Sequence, residues 1–167
     1  MKILVKVTTS EGSMVIELDQ EKAPLTVDNF LSYVDAKFYD GTIFHRVIDN
    51  FMIQGGGYEK GLVEKTTNAP IKNEANNGIS NSAYTIAMAR TNEPHSASAQ
   101  FFINVVDNKF LDFKSESAEG YGYCVFGKLT EGTDTVDKIK AASTGTQGFN
   151  ADVPSEDIVI ISASRVT

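Results

Sequence analysis

The 167-residue chain has one cysteine, two histidines and no tryptophan. The single cysteine, Cys124, excludes an internal disulfide framework and any metal site built from several cysteines. The histidines, His45 and His95, are far apart in the sequence, and neither has neighbouring ligands at the spacing of a zinc or calcium site. The sequence therefore predicts neither a metal nor a cofactor.

Positive charge is also scarce. The chain has 15 Lys and Arg against 22 Asp and Glu, a formal net charge of −7, and no segment concentrates the basic residues. Nucleic acids and anionic membranes are bound by basic faces, so neither is an expected partner. No apolar run is long enough to span a membrane, and the N-terminal apolar run, broken by Lys6, is too short for a secretory signal. These absences favour the cytoplasm.

Nucleotide and hydrolase chemistry have little support. The glycines at 55–57 lack the spacing of a dinucleotide-binding or phosphate-binding loop, and no nucleophile elbow is present. A small hydrolase that uses His45 with a nearby serine is therefore a disfavoured alternative. We expect His45 to be a core histidine satisfied by backbone partners, His95 to have no specific role, and Cys124 to be a small buried hydrophobe.

The length and a hydrophobic fraction of 41% favour one folded domain over residues 1–167 rather than disorder. An apolar stripe of helical period follows Pro24 and predicts a helix over 24–37. A second helix is predicted over 133–142, capped by Thr133 or Asp134, and a short helical turn over 108–111. Strand-like runs occupy 3–8, 14–18, 43–47, 51–54, 84–88, 100–105, 123–129 and 157–166. The segment 55–82 is a long polar connection.

The predicted strands rarely alternate with helices, so a parallel sheet is not expected. An antiparallel sheet must protect its edges, and closure into a barrel does this fully. The sequence therefore predicts a mainly β fold, a closed eight-stranded antiparallel β-barrel capped by two α-helices.

Arg46 lies in the apolar stretch FHRVIDNFMIQGG (44–56). On a strand, alternation places Phe44 and Arg46 on one face and His45 on the other. Two interpretations follow: a surface arginine stacked on Phe44, or an arginine in a half-apolar cleft together with Gln100 and Phe102. Spacing alone leaves both open.

Four segments together resemble the cyclophilins, a family of peptidyl-prolyl cis–trans isomerases, and the resemblance extends from about residue 3 to 165. They are FHRVIDNFMIQGG (44–56), YTIAMAR (84–90), SAQFFINV (98–105) and YCVFGKL (123–129). The resemblance implies the same eight-stranded barrel with two helices. It also implies acceleration of rotation about Xaa-Pro bonds in proline-containing peptides and folding chains, by a monomer without a cofactor.

The resemblance further implies a set of site residues. Arg46 matches the catalytic arginine. The walls of the proline pocket match Phe51, Met52, Phe102 and Leu111. The positions that hold the peptide backbone match Gln54, Ala89, Arg90 and Gln100. A module that binds proline segments without turnover remains the alternative to an enzyme.

Three positions depart from the animal members of the family. Phe110 replaces a tryptophan, Tyr123 replaces a histidine, and Arg90 replaces an asparagine. Phe110 and Tyr123 are more like the bacterial cytosolic branch, and both belong to the expected substrate-binding rim. The tryptophan donates a hydrogen bond to the immunosuppressant cyclosporin, which a phenylalanine cannot do. We therefore expect weak cyclosporin binding with catalysis retained.

Overall fold

A curled antiparallel sheet dominates the computed structural model, which describes residues 2–166. The strands are β1 (Ile3–Thr9), β2 (Gly12–Leu18), β3 (Thr42–Ile48), β4 (Met52–Glu59), β5 (Val63–Glu64), β6 (Thr85–Met88), β7 (Phe101–Asn104), β8 (Val125–Glu131), β9 (Thr144–Gln147), β10 (Asn150–Pro154) and β11 (Ile160–Val166). The helices are α1 (Pro24–Asp35) and α2 (Thr133–Lys140), with short 3-10 turns at Ala75–Asn77 and Lys109–Leu111. No helix within residues 2–166 is long and apolar enough to cross a membrane.

Eight strands form one antiparallel path in the order β11-β1-β2-β8-β6-β7-β4-β3, and β5 pairs with β4. Strand β3 meets the residues just before β11 through an isolated bridge from Ile43 to Val159 and through the Phe44 N–H, which donates to the Ile158 carbonyl at 3.0 Å. The eight-stranded antiparallel architecture with two helices is confirmed, but the sheet is not the fully closed barrel that was predicted. The reason is that β3 packs more against β10, in the separate β9–β10 hairpin, than against β11.

The two predicted helices begin where expected and end earlier. Pro24 occupies the first turn of α1, and Lys37 has a left-handed φ of 59°, which stops the helix before it. The predicted cap of α2 was wrong: its N-cap is Gly132, with φ 91° and no side-chain cap. A Cβ at this glycine would overlap the Ser13 carbonyl. Only glycine therefore fits at this position, where the chain comes close to β2.

Strand β4 extends well beyond its predicted end, through the glycines that the sequence analysis assigned to a loop. A Cβ at Gly56 would lie 2.8 Å from Phe101 Cε1 and 2.9 Å from Tyr39 Cε1. The glycines are therefore required where core aromatic rings lie against the backbone of the strand. The prediction also missed β5 and the β9–β10 hairpin, whose residues are largely polar and exposed.

The sheet carries an apolar cluster on each of its faces. The main core lies under the helices and contains Phe30, Phe44, Phe101 and Phe126, all nearly fully buried. A smaller cluster on the opposite face contains Met52, Ala87, Phe102 and Val125. Successive side chains of a strand point to opposite faces, so the adjacent phenylalanines of β7 serve different clusters.

A β-bulge in β3 changes the face on which Phe44 lies. Phe44 pairs with Gly55, and Arg46, two residues further along β3, pairs with Gln54, which is directly adjacent to Gly55. His45 is therefore an extra residue in β3. Phe44 is fully buried in the main core, while Arg46 is exposed. The expectation that Phe44 and Arg46 share a face was wrong, because strict alternation does not continue through a bulge.

The predictions about the histidines were right in part. His45 is a core residue as predicted, 6% exposed, but within residues 2–166 its Nδ1 has no hydrogen-bond partner. Its ring packs on Tyr58 with 4.5 Å between ring centroids. His95 does have a specific role, since its Nδ1 accepts a hydrogen bond from the Asn73 N–H at 3.0 Å. Cys124 is buried as predicted, and burial raises the pKa of its thiol to about 11.

The environment of His45 predicts loss of stability in mild acid. Burial, with a smaller effect of the Arg46 charge, lowers the pKa of His45 from 6.5 to about 4. Between these values the unfolded chain binds a proton that the folded chain does not, so the free energy of unfolding falls as the pH falls. The slope approaches about 1.4 kcal/mol per pH unit for one group.

Urea unfolding at several pH values between 7 and 4 measures this slope. The control is His45→Phe, which keeps a ring against Tyr58 and removes the titrating group. We expect a shallower slope for the variant than for the wild type, because the acidic side chains that also titrate are common to both. Equal slopes would contradict the burial of a neutral histidine.

Candidate functional site

A row of paired residues crosses five strands on the face of the smaller cluster. Arg46 of β3 pairs with Gln54 of β4, and Gln54 pairs with Phe102 of β7. Phe102 pairs with Ala87 of β6, and Ala87 pairs with Val125 of β8. Directly paired residues project to the same face of a sheet, so the row leads from a guanidinium through an amide to an apolar surface.

Hydrogen bonds link the polar end of this row. Arg46 Nη1 donates to Gln54 Oε1 at 3.4 Å, and Gln54 Nε2 donates to Gln100 Oε1 at 2.9 Å. In the described part of the chain, no carboxylate lies within 4.0 Å of the Arg46 guanidinium. Most of its five N–H donors therefore remain available to a bound molecule.

The apolar end of the row is a closely packed apolar surface. Met52 and Phe102 are 2% and 4% exposed, which fixes their positions before anything binds. Partly buried side chains pack around them; these include Phe51, Ala89, Leu111 and Tyr123, all predicted, and Ile48 and Ile79, which were not. Ala87 and Val125 were also missed, although Ala87 lies two positions from Ala89 and so could have been found by alternation.

Phe110 forms an exposed edge beside this apolar surface. It lies in the 3-10 turn Lys109–Leu111 and is 65% exposed. Its ring stacks on Phe51 with centroids 5.7 Å apart and an interplanar angle of 27°. The apolar surface is thereby extended outward by a ring that has no hydrogen-bonding group.

Arg90 and Tyr123 form the opposite rim. Arg90 Nε donates to the Gly122 carbonyl at 2.9 Å, and its guanidinium carbon lies 4.6 Å from the centre of the Tyr123 ring. Tyr123 in turn meets Phe102 edge-on, with centroids 5.7 Å apart. The Ala89 N–H donates to the Gln100 carbonyl at 3.0 Å, which joins this rim to the polar end of the row. All eleven predicted site residues thus belong to one continuous region.

A chain of buried amides, which the sequence pattern did not predict, holds the backbone beside the apolar surface. Asn108 Nδ2 donates to the Phe51 carbonyl at 2.8 Å and to Asn104 Oδ1 at 2.9 Å. Asn104 Nδ2 donates to Asn81 Oδ1 at 3.1 Å, and Asn81 Nδ2 reaches Asp112 at 3.1 Å. An asparagine within the apolar run of β7 was the available signal, because a buried amide needs partners.

Asp112 ends this amide chain as a carboxylate. Burial alone would raise its pKa, but hydrogen bonds from Ser80 and Asn81 outweigh that effect, and the pKa is lowered. The loop that carries Phe110 and Leu111 is therefore anchored at Asn108 and at Asp112. Over residues 2–166 no group of three or more His, Cys, Asp and Glu side chains is placed to hold a metal ion.

Comparison with known proteins identifies one family. Residues 4–165 match the family described as cyclophilin type peptidyl-prolyl cis-trans isomerase/CLD. The chain is 57% identical to peptidyl-prolyl cis-trans isomerase B of Escherichia coli (strain K12), covering 96% of this chain and 98% of that protein. It is also 57% identical to peptidyl-prolyl cis-trans isomerase cyp18 of Streptomyces antibioticus, covering 95% and 96% of the two chains.

The fold has a counterpart among solved structures. The crystal structure of a Cryptosporidium parvum cyclophilin type peptidyl-prolyl cis-trans isomerase superposes with a TM-score of 0.80 at 23% identity, covering 100% of this chain and 99% of that one. A structure of the same protein in the presence of the dipeptide Ala-Pro gives a TM-score of 0.79 at 24% identity, covering 98% of this chain and 99% of that one. At these identities the likeness concerns the fold.

The hydrogen bond between Gln54 and Gln100 leads to a prediction about Gly57. A Cβ at this position would overlap Gln100 Cγ. Gly57→Ala should therefore displace the Gln100 side chain and break its bond with Gln54, while the backbone keeps its conformation. The expected result is a shift of the Gln54 and Gln100 side-chain amide signals in a proton–nitrogen NMR spectrum.

Gly145→Ala is the matched control, because a Cβ at Gly145 meets no atom within 4 Å. Its spectrum should keep both glutamine signals at their wild-type positions. Unchanged glutamine signals in Gly57→Ala would show that Gln100 has room to avoid the methyl group, contrary to the packing described above.

Proposed function

The chain belongs to the cyclophilin-type peptidyl-prolyl cis–trans isomerase family, and we propose that the row from Arg46 to the apolar pocket is its catalytic centre. The observation that carries this proposal is the register of β3, β4 and β7. In this register the Arg46 guanidinium, which has no carboxylate partner in residues 2–166, lies beside a packed apolar surface. The reaction is rotation about Xaa-Pro bonds, and no covalent step is needed.

The chemistry of the peptide bond explains this choice of residues. Resonance gives the C–N bond partial double-bond character and a rotation barrier of roughly 18–20 kcal/mol. No bond forms or breaks during rotation, so a nucleophile or a general base has no task. As the amide twists, the proline nitrogen regains its lone pair and becomes a hydrogen-bond acceptor.

Arg46 would donate to that nitrogen in the twisted state only. An interaction that is stronger in the transition state than in the ground state accelerates the reaction. A hydrogen bond to a charged group contributes about 1.5–3 kcal/mol net, which corresponds to one or two decades of rate. The rest of the acceleration must come from binding and orientation.

The apolar pocket would supply that remainder. Phe51, Met52, Phe102 and Leu111 hold the proline ring and exclude water from the twisting bond. Gln54, Gln100, Ala89 and Arg90 hold the peptide backbone on either side, Gln54 and Gln100 through their linked amides. One side of the Xaa-Pro bond is thereby fixed while the other side rotates.

The proposed substrates are proline-containing peptides and folding protein chains. The net charge of −7 disfavours self-association, and the chain has no concentration of basic residues that would bind a polyanion. We propose that the protein acts as a monomer in the cytoplasm, where slow Xaa-Pro isomerisation limits the folding of its clients.

Replacing Arg46 tests the proposed donor. Arg46→Ala should lower kcat/KM for a short proline peptide about 10–100-fold, as expected for one charged hydrogen bond. Arg46→Lys should not restore activity, because lysine keeps the charge and loses the planar array of donors. Cis-to-trans rates of a chromogenic proline peptide measure both effects.

The matched control is Arg165→Ala, which removes an arginine paired with Asp35 at 2.7 Å, outside the proposed site. Its rate should equal that of the wild type. A rate for Arg46→Ala equal to that of the wild type would contradict the role of Arg46 and leave a proline-binding module as the better description.

Phe110 leads to a separate prediction about cyclosporin. Its exposed ring supplies apolar contact and no hydrogen-bond donor, so affinity for cyclosporin should be weak. Phe110→Trp adds an indole N–H at the rim and should raise the affinity roughly two- to tenfold, the worth of one such bond. Titration calorimetry measures the affinity, with Phe110→Leu as an apolar control that adds no donor; unchanged affinity in Phe110→Trp would contradict the explanation.

A further inference from the structure

The chain has three arginines, Arg46, Arg90 and Arg165, and they differ in their charge partners. Arg165 forms a two-pronged pair with Asp35, its Nε and Nη2 donating at 2.9 and 2.7 Å. Neither Arg46 nor Arg90 has a carboxylate within 4.0 Å over residues 2–166. Of the three arginines, the two without a carboxylate partner in residues 2–166 are therefore the two at the proposed site.

Arg90 is held in a fixed position by groups that leave its charge uncompensated. Its Nε and Nη1 donate to the carbonyls of Gly122 and Thr91 at 2.9 and 2.8 Å. The face of the guanidinium lies on the Tyr123 ring at 4.6 Å. Carbonyl oxygens and an aromatic face orient a cation without neutralising it.

A second cation lies near Arg90, on the side of the main core. Lys72 and Arg90 line one small crevice together with Met88 and Cys124. The nearest acidic residue in sequence to Lys72, Glu74, is occupied: its carboxylate accepts from the Thr26 N–H and hydroxyl, both at 2.7 Å. These neutral donors leave the negative charge of Glu74 in place, so the segment that carries Lys72 contributes one charge of each sign near Arg90.

The position of Arg90 relative to the pocket defines its reach. Arg90 contacts Tyr123, and Tyr123 contacts Phe102 of the proline pocket at 5.7 Å. An extended peptide advances roughly 3.3–3.6 Å per residue. A side chain one to three residues from a proline seated on Phe102 can therefore approach the guanidinium.

We propose that Arg90 is a specificity residue that favours substrates with a carboxylate side chain within three residues of the proline. The inference rests on the proposed function for the location of the proline and assigns the Arg90 side chain a role besides holding the peptide backbone. The recognised group is the side-chain carboxylate of Glu or Asp in an acidic peptide.

Matched peptides test this proposal. Two pairs differ only by Glu or Gln, one pair two residues before the proline and one pair two residues after it. At pH 7 and low salt, the Glu peptide of at least one pair should bind the wild type about three- to tenfold more tightly than its Gln partner. NMR titration gives the affinities, and exchange spectroscopy on the same samples gives the isomerisation rates.

The variants separate charge from structure. Arg90→Gln should abolish the preference for the Glu peptide, even if it weakens the binding of both peptides because the contact with the Tyr123 ring is lost. Arg90→Lys should keep part of the preference, and Arg165→Gln should keep all of it. About 0.5 M NaCl should reduce the preference in the wild type, because the Debye length falls well below its value of about 10 Å at 0.1 M.

Equal affinities for Glu and Gln peptides in the wild type, in both pairs, would overturn the role of Arg90. So would a Glu preference that persists in Arg90→Gln. Failure of the proposed function has a different signature, since the peptides would then bind without faster cis–trans exchange. In either case the ratio of the affinities for the Glu and Gln peptides tests the role of Arg90.

Discussion

The proposed site depends on one constraint, that β3 must bury an aromatic ring and present a free guanidinium two residues later. Regular alternation would send Phe44 and Arg46 to the same face. The bulge at His45 separates them, so that Phe44 joins the main core and Arg46 pairs with Gln54 at the head of the cross-strand row. The cost of the bulge is visible at His45 itself, whose ring is buried with a nitrogen that has no hydrogen-bond partner among residues 2–166.

The remainder of the site is arranged so that little has to move when a substrate binds. In the proposed mechanism one hydrogen bond from Arg46 would account for only part of the acceleration, so preorganisation of the apolar surface would have to contribute. Met52 and Phe102 are fixed by packing, and the amide chain from Asn81 to Asn108 holds the loop that carries Leu111. Interior packing on both faces of the sheet thus supports the site.

Much of the fold and the location of the site could be predicted from the sequence. Helical period identified α1, and the motifs around Arg46 and Phe102 identified residues that the structure does bring together. The bulge, the incomplete closure and the Gly132 cap could not be predicted, because each is decided by contacts between segments distant in sequence. The β9–β10 hairpin was missed for a different reason: its exposed polar residues carry no apolar alternation.

The central claim is that Arg46 acts on the twisted bond rather than on peptide affinity. Exchange spectroscopy of a proline peptide with the wild type and Arg46→Ala measures binding and cis–trans exchange in one sample. The account predicts that the variant binds the peptide with affinity within about threefold of the wild type and exchanges its isomers at least about tenfold more slowly. Equal exchange rates at equal saturation would contradict it, and so would a loss confined to affinity.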